Sequence, residues 1–360
     1  MKKKISVVIL LVGLAAWQCS KLDNNKPDLK QSLMKSVDNV NTAIGKISGS
    51  KGFEMLTVNG GAGATGVVTG AGTDAKSVEF FDLADSVTLD MVSGIYDFQP
   101  DASHHWHYFF PVSLFKKSGT SNHMIVNMPQ RMMFRPKYLF NFGMNDSILK
   151  NNFKIDASAY HSIHKGWYSS DYNLVASFTY EKASIGDCEI NSHANPGNGN
   201  NFTSEFNFPE GYNITVEQTA VDTARSSSFA LKDKDDVLLK ETSVITKTGN
   251  HMFEKQYILT IGNVDIKRST GVDSIQVYLD GVLQQKAAVK IVDETADEDK
   301  SICHSRDLLI TFDDGTKANL SVLINPARET LKTLVSSLGE MYFARHIVDY
   351  IAMSIAVSVH

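Results

Sequence analysis

Cysteine is scarce in this chain: Cys19, Cys188 and Cys303 are the only three in 360 residues. A disulfide-dense scaffold is therefore excluded. With Cys19 engaged elsewhere, a single bridge between Cys188 and Cys303 is the most the sequence allows. The other reading is two buried thiols packed as small hydrophobes. Charge of one sign is missing too. Lysine and arginine total 35 against 40 aspartates and glutamates, a net charge of −5. No basic block follows the N-terminus, so nucleic-acid binding has no electrostatic footing. Nor is there a run of about 20 apolar residues of the kind that spans a bilayer. The best internal stretch, 331–359, is interrupted by Glu340, Arg345, His346 and Asp349. No G-x-S-x-G elbow, Walker loop or H-E-x-x-H helix occurs. No enzyme activity and no cofactor are expected on these grounds. The apolar fraction of 42% and charged fraction of 21% are ordinary for a globular protein.

What is present starts at the N-terminus. Lys2, Lys3 and Lys4 precede an apolar run from Ile5 to Ala16, broken only by Ser6 and Gly13, and then Trp17, Gln18 and Cys19. A basic region, a short apolar region and a processing point make residues 1–18 a signal peptide. Cleavage near Ala15 or Ala16 is one reading. The other is that Cys19, directly after the apolar run, resembles the lipobox cysteine of bacterial lipoproteins. Gln18 stands where that pattern has a small residue, and Ala16 where it has an aliphatic one. The resemblance implies an acylated Cys19 and a membrane partner reached through the lipid, since two or three acyl chains anchor stably. Residues 19–28 are polar and unpatterned, a tether. Ser20 after the cysteine implies an outer-membrane lipoprotein; Lys21 and Asp23 leave periplasmic face and cell surface both open.

About 340 residues remain after the leader, which as a prior suggests two regions, 29–210 and 211–360, or one domain. Leu29, Leu33, Val37, Val40, Ile44 and Ile47 recur at helical spacing, ended by Gly49 and Gly52. Phe53 to Asn59 reads as a strand. The glycine-rich stretch after it matches G-x-G-x-x-G at Gly61, Gly63 and Gly66. Val67, Val68, Gly70 and Gly72 follow, so no helix opens to hold a pyrophosphate, and a loop or hairpin is expected. From Val78 onward the period is two. Val87, Leu89 and Met91 alternate with polar residues, as do Tyr172, Leu174, Ala176, Phe178 and Tyr180; Phe202, Phe206 and Phe208 continue the pattern. Asp280-Gly281 separates two alternating runs, the signature of a hairpin. Leu308 to Phe312, Asp313-Asp314-Gly315 and Leu320 to Ile324 repeat it. The acidic run 293–299 lacks the glycine of a calcium loop. Asn325 and Pro326 open a C-terminal helix whose apolar stripe begins at Leu331 and runs to Ile355.

The fold class that follows is α+β: a predominantly antiparallel sheet, as a sandwich or curved sheet, with an N-terminal helix and a long C-terminal helix packed on it. Such a covered, curved sheet could also enclose an apolar cavity for a lipid.

Three groups of residues carry candidate chemistry. In His104-His105-Trp106-His107, His105 and His107 share a strand face, and His123, or His161 with His164, would complete a zinc site. Aromatic packing of these histidines is the rival reading. Trp167 and Tyr168, with Tyr172 and Trp106, could hold a sugar ring between aromatic and polar groups; the rival reading is packing at the core edge. The paired acids Asp235-Asp236 and Asp313-Asp314 fit turns.

Asp85-Ser86-Val87, Asp146-Ser147-Ile148, Asp222-Thr223-Ala224 and Asp273-Ser274-Ile275 resemble the acceptor motif for O-glycans in Bacteroides. Together with the leader, the layout resembles that of cell-envelope lipoproteins of gut Bacteroidota. That resemblance implies a binding or assembly role in the envelope, the partner being a glycan or another envelope protein. A surface glycan-binding protein and a zinc-dependent hydrolase built on His104–His107 are the alternatives.

Overall fold

Alternation of apolar and polar residues dominates the molecule, and it resolves into one very large sheet that is antiparallel throughout except for the parallel β2–β4 pair. The computed structural model describes residues 28–57, 86–99, 115–129, 150–165, 169–195, 199–249, 252–271, 274–293 and 306–358. The leader, the tether with Cys19 except for Asp28, the glycine-rich stretch 61–72, His104, His105, Trp106 and His107, Trp167 and Tyr168, and Cys303 lie outside them.

Helix α1 spans Leu29–Ser48, and Asp28 caps it by accepting the Gln31 backbone N–H at 2.8 Å. Its buried face contains Leu29, Leu33, Val37, Val40, Ile44 and Ile47, the set that the spacing picks out. A short helix, α2 (Lys51–Thr57), follows. Here the structure corrects the strand expected from Phe53. Ser50 accepts the Phe53 N–H on its side chain at 3.0 Å and the Glu54 N–H on its carbonyl at 3.2 Å, which starts a helical turn. Gly52 lets that turn lie on the next layer: a Cβ there would sit 2.4 Å from the Ile185 carbonyl oxygen.

Strand β1 (Ser86–Thr88) runs into a one-turn helix, α3 (Leu89–Val92). The alternation through Leu89 and Met91 was expected to continue as strand. Instead the turn buries Val92, whose carbonyl accepts the Tyr96 hydroxyl at 2.8 Å, and leaves Met91 exposed. Then come β2 (Gly94–Phe98), β3 (Phe115–Gly119) and β4 (Met124–Met128). The long strands are β5 (Phe153–Lys165), β6 (Ser169–Tyr180), β7 (Ala183–Asn195) and β8 (Gly199–Asn207). They continue as β9 (Tyr212–Val221), β10 (Ala224–Asp233), β11 (Asp236–Gly249) and β12 (Met252–Ile261). The series closes with β13 (Val264–Ser269), β14 (Gln276–Leu279) and β15 (Val282–Leu283).

From β4 to β15 each strand pairs antiparallel with the next, and β2 and β3 finish the far edge of a 15-stranded sheet. The sheet passes through Gly211 without a break, β8 pairing β9 from Asn207↔Asn213 to Asn200↔Ala220. Asp280 and Gly281 both have positive φ in the β14–β15 turn, as the Asp-Gly pair requires. A second, three-stranded sheet consists of β16 (Ala288–Asp293), β17 (Arg306–Thr311) and β18 (Lys317–Asn319). The stretch Leu320 to Ile324, expected as the second arm of that hairpin, is instead a helical turn, α4 (Leu320–Leu323). The buried Asp307 carboxylate imposes it by accepting the Ser321 N–H at 3.0 Å and its hydroxyl at 2.6 Å. Helix α5 (Asn325–Ser358) ends the chain.

One face of the large sheet is the core face. Phe153 of β5, Phe178 of β6 and Phe206 of β8 stack with centroids 6.2 and 6.1 Å apart, the second pair reaching across β7 at Gly186, and Phe208 meets Phe206 edge-on. Helix α1 covers this face at β11, β12 and β13, and α2 covers it at β7. Helix α5 lies against α1, α2 and α3 and touches the sheet at β1. The other face of β5 to β8 is polar and open.

Candidate functional site

That open face holds a depression of about 360 Å³ lined by side chains of β5, β6, β7 and β8. Its floor follows directly from register. His161, Asn173, Asn191 and Thr203 are aligned across four neighbouring strands, and Ile163, Asp171, His193 and Asn201 form the next row. Strand alternation points these side chains away from the core, while Tyr172 and Leu174 between them point inward.

Hydrogen bonds hold the rows in order. Asn173 donates its amide to Asn191 Oδ1 at 2.6 Å, and Asn191 donates to Glu189 Oε1 at 2.7 Å. His193 Nδ1 is paired with Asp171 across the strands. One row further, Asn207 donates to Asp187 at 2.8 Å. The Asp171 and His193 side chains are 42% and 46% exposed. A contact that open contributes only about 0–1 kcal/mol, so fold stability does not account for it.

The donor and acceptor balance defines what this surface can hold. Each asparagine offers an N–H₂ donor and a carbonyl acceptor, and the Asp171 carboxylate offers acceptors. No lysine or arginine lines the depression, which argues against a phosphate. No three His, Cys, Asp or Glu side chains converge as metal ligands among the described residues. His161 lines the depression, whereas His123 is committed elsewhere: its Nδ1 meets Asp156 Oδ1 at 2.8 Å, and Lys154 holds the other oxygen at 3.1 Å.

Tyr172, offered by the sequence as a ligand-contacting aromatic, is among the residues lining the depression, yet it is only 5% exposed and its ring packs on the core face. The Arg345 guanidinium lies 4.1 Å above its centroid, and Arg345 Nε donates to Asp349 at 3.3 Å. Tyr160 packs edge-on to Tyr172 and donates its hydroxyl to Asp349 at 3.1 Å. This cluster ties α5 to β5 and β6. Burial first, and then the Asp349 charge, hold both phenols above their usual range. Cys188 is a free, buried thiol on the same core face, and burial pushes its thiol up to about 12; Cys303, its candidate bridge partner, lies outside the described residues.

Sequence reasoning missed Asp171, Asn173, Asn191, His193, Asn201 and Thr203, treating outward positions as mere solvent face. The available signal was asparagine itself. It is disfavoured in strands, yet it occupies Asn173, Asn191, Asn201 and Asn207 at outward positions of neighbouring strands. No family model, curated protein or solved structure matches the chain.

Proposed function

We propose that this chain is a non-catalytic binding lipoprotein of the bacterial outer membrane, tethered through acylated Cys19, whose open β5–β8 face holds a glycan. The observation that carries the reading is the cross-strand Asn173–Asn191–Glu189 ladder beside the Asp171–His193 pair, lining one depression. Vicinal hydroxyls each donate and accept, and side-chain amides and carboxylates placed side by side match that pattern. Pre-ordering by the ladder lowers the entropic cost of binding. The N-terminal and C-terminal helices serve as the rigid backing on the core face, leaving the opposite face for the ligand. The lipobox resemblance and the Bacteroidota layout support the envelope location.

The test is a glycan array probed with the exported chain carrying Cys19→Ser, beside Asn173→Ala/Asn191→Ala in the same background. Selective retention of some oligosaccharides by the first protein and not by the second is the expected result. Identical patterns for both would refute the site.

A further inference from the structure

The core face of the sheet is not apolar along its whole length. In β10 to β13 it changes character toward the strand ends remote from α1. Leu231, Leu239, Ile261 and Val264 form one buried or half-buried row, and Phe229, Leu259 and Ile266 belong to the next. Past them the same alternation places Ser227, Ser243, Tyr257 and Arg268 in register, then Arg225, Ile245 and Lys255, then Lys247 and Phe253. Arg225, Lys247, Lys255 and Arg268 are all exposed, and none has an ion-pair partner among the described residues. Glu241, the one acid on this face of β10–β13, accepts the Tyr257 hydroxyl. Glu254 belongs to the opposite face, and Asp222 to the β9–β10 turn.

One exposed apolar side chain shares the face of these cations at the same end: Phe253, 55% exposed, while Met252 (67%) and Val221 (49%) alternate to the opposite face of the same strand ends. Four neighbouring strands about 4.8 Å apart put the four cations within one band about 15 Å wide. Unpaired cations around a protruding Phe suit an interface that is anionic at its surface and apolar just beneath. That combination is the headgroup region of an anionic lipid layer. A soluble polyanion would satisfy the cations but leave Phe253 in water.

We propose that the β10–β13 strand ends form a membrane-docking edge, with Arg225, Lys247, Lys255 and Arg268 facing anionic lipid headgroups and Phe253 entering the interface. The site lies on the face opposite the depression and does not depend on the glycan reading. Docking there would fix the orientation of a tethered protein on its own membrane.

The experiment is vesicle co-sedimentation of the exported chain carrying Cys19→Ser, so that acyl chains make no contribution. Vesicles of phosphatidylcholine alone are compared with vesicles containing roughly one third phosphatidylglycerol. Binding to the anionic vesicles only, weakened by salt, is expected. Each cation near such a surface contributes about fivefold, so Arg225→Gln/Lys255→Gln should weaken binding about 30-fold. Lys247→Gln/Arg268→Gln should match it, and Phe253→Ser should weaken binding at unchanged salt dependence. All these positions are exposed, and a thermal melt confirms that the variants fold. The proposal is overturned by equal binding to neutral vesicles, by no vesicle binding, or by glutamine variants that bind as the parent does. Variant-sensitive binding to polygalacturonate without vesicle binding would overturn it equally.

Discussion

Replacing Leu33 by alanine tests whether α1 is the strut on which the sheet is built. Leu33 is 0% exposed at the centre of the helix's buried stripe. Three methylene equivalents at about 0.8 kcal/mol each give about 2.4 kcal/mol of lost transfer energy. The residual cavity raises the total to about 3–5 kcal/mol, because the surrounding strands close only partly. Against a domain stability of about 5–15 kcal/mol, that is a large share. Met34, the next residue, is 41% exposed, and Met34→Ala should stay within about 0.5 kcal/mol. Urea unfolding followed by circular dichroism reads the difference. With an m-value of about 3 kcal/mol per molar, Leu33→Ala should shift the midpoint down by about 1 M. Equal midpoints for Leu33→Ala and Met34→Ala would refute the placement of α1 on the sheet.

Gly262, in the β12–β13 turn, has φ of +57° and lies against α1, where a Cβ would come within 2.3 Å of Ser36 Oγ. Gly262→Ala should destabilise by about 2 kcal/mol, and Ser36→Gly in the same chain should recover part of that in a thermal melt. The Cys188 thiol, held up at about 12 and buried, should resist a thiol reagent at pH 8 and react only when urea unfolds the chain. The buried phenols of Tyr160 and Tyr172 keep protons that the unfolded chain gives up above about pH 10, so stability should fall as pH rises past that point. Absorbance at the phenolate band should then appear together with loss of the circular dichroism signal, and a separate earlier ionisation of both tyrosines would contradict their burial. Asn173→Ala/Asn191→Ala should leave the melting temperature nearly unchanged, since the ladder is on the open face.

Long, strongly periodic segments are where sequence and structure agree most closely. The stripe from Leu29 to Ile47 and the alternation from Tyr172 to Phe178 each state one period over several repeats, and packing reinforces it. The failures are short segments decided by single tertiary contacts. Phe53 is helical because Ser50 caps the turn and Gly52 allows α2 to lie on β7; Leu320 is helical because Asp307, buried at 7% exposure, claims Ser321. Neither contact is visible as a pattern. The site was half legible. Alternation already places Asp171 and Asn173 outward. What brings them to Asn191, His193 and Asn201 is the register of two hairpins, which depends on bulges such as the one between Phe178 and Thr179. The cations of β10–β13 were equally hidden, because they lie on four strands and the chain as a whole is acidic.

The most direct test of the binding claim is calorimetric titration of one array-selected oligosaccharide into three proteins. These are the parent, Asn173→Ala/Asn191→Ala on the open face, and Arg225→Gln/Lys255→Gln on the core face. The account predicts that the parent and the core-face variant bind alike, while the open-face variant loses at least tenfold in affinity, about 1.4 kcal/mol. Unchanged binding by the open-face variant, or loss confined to the core-face variant, would contradict it.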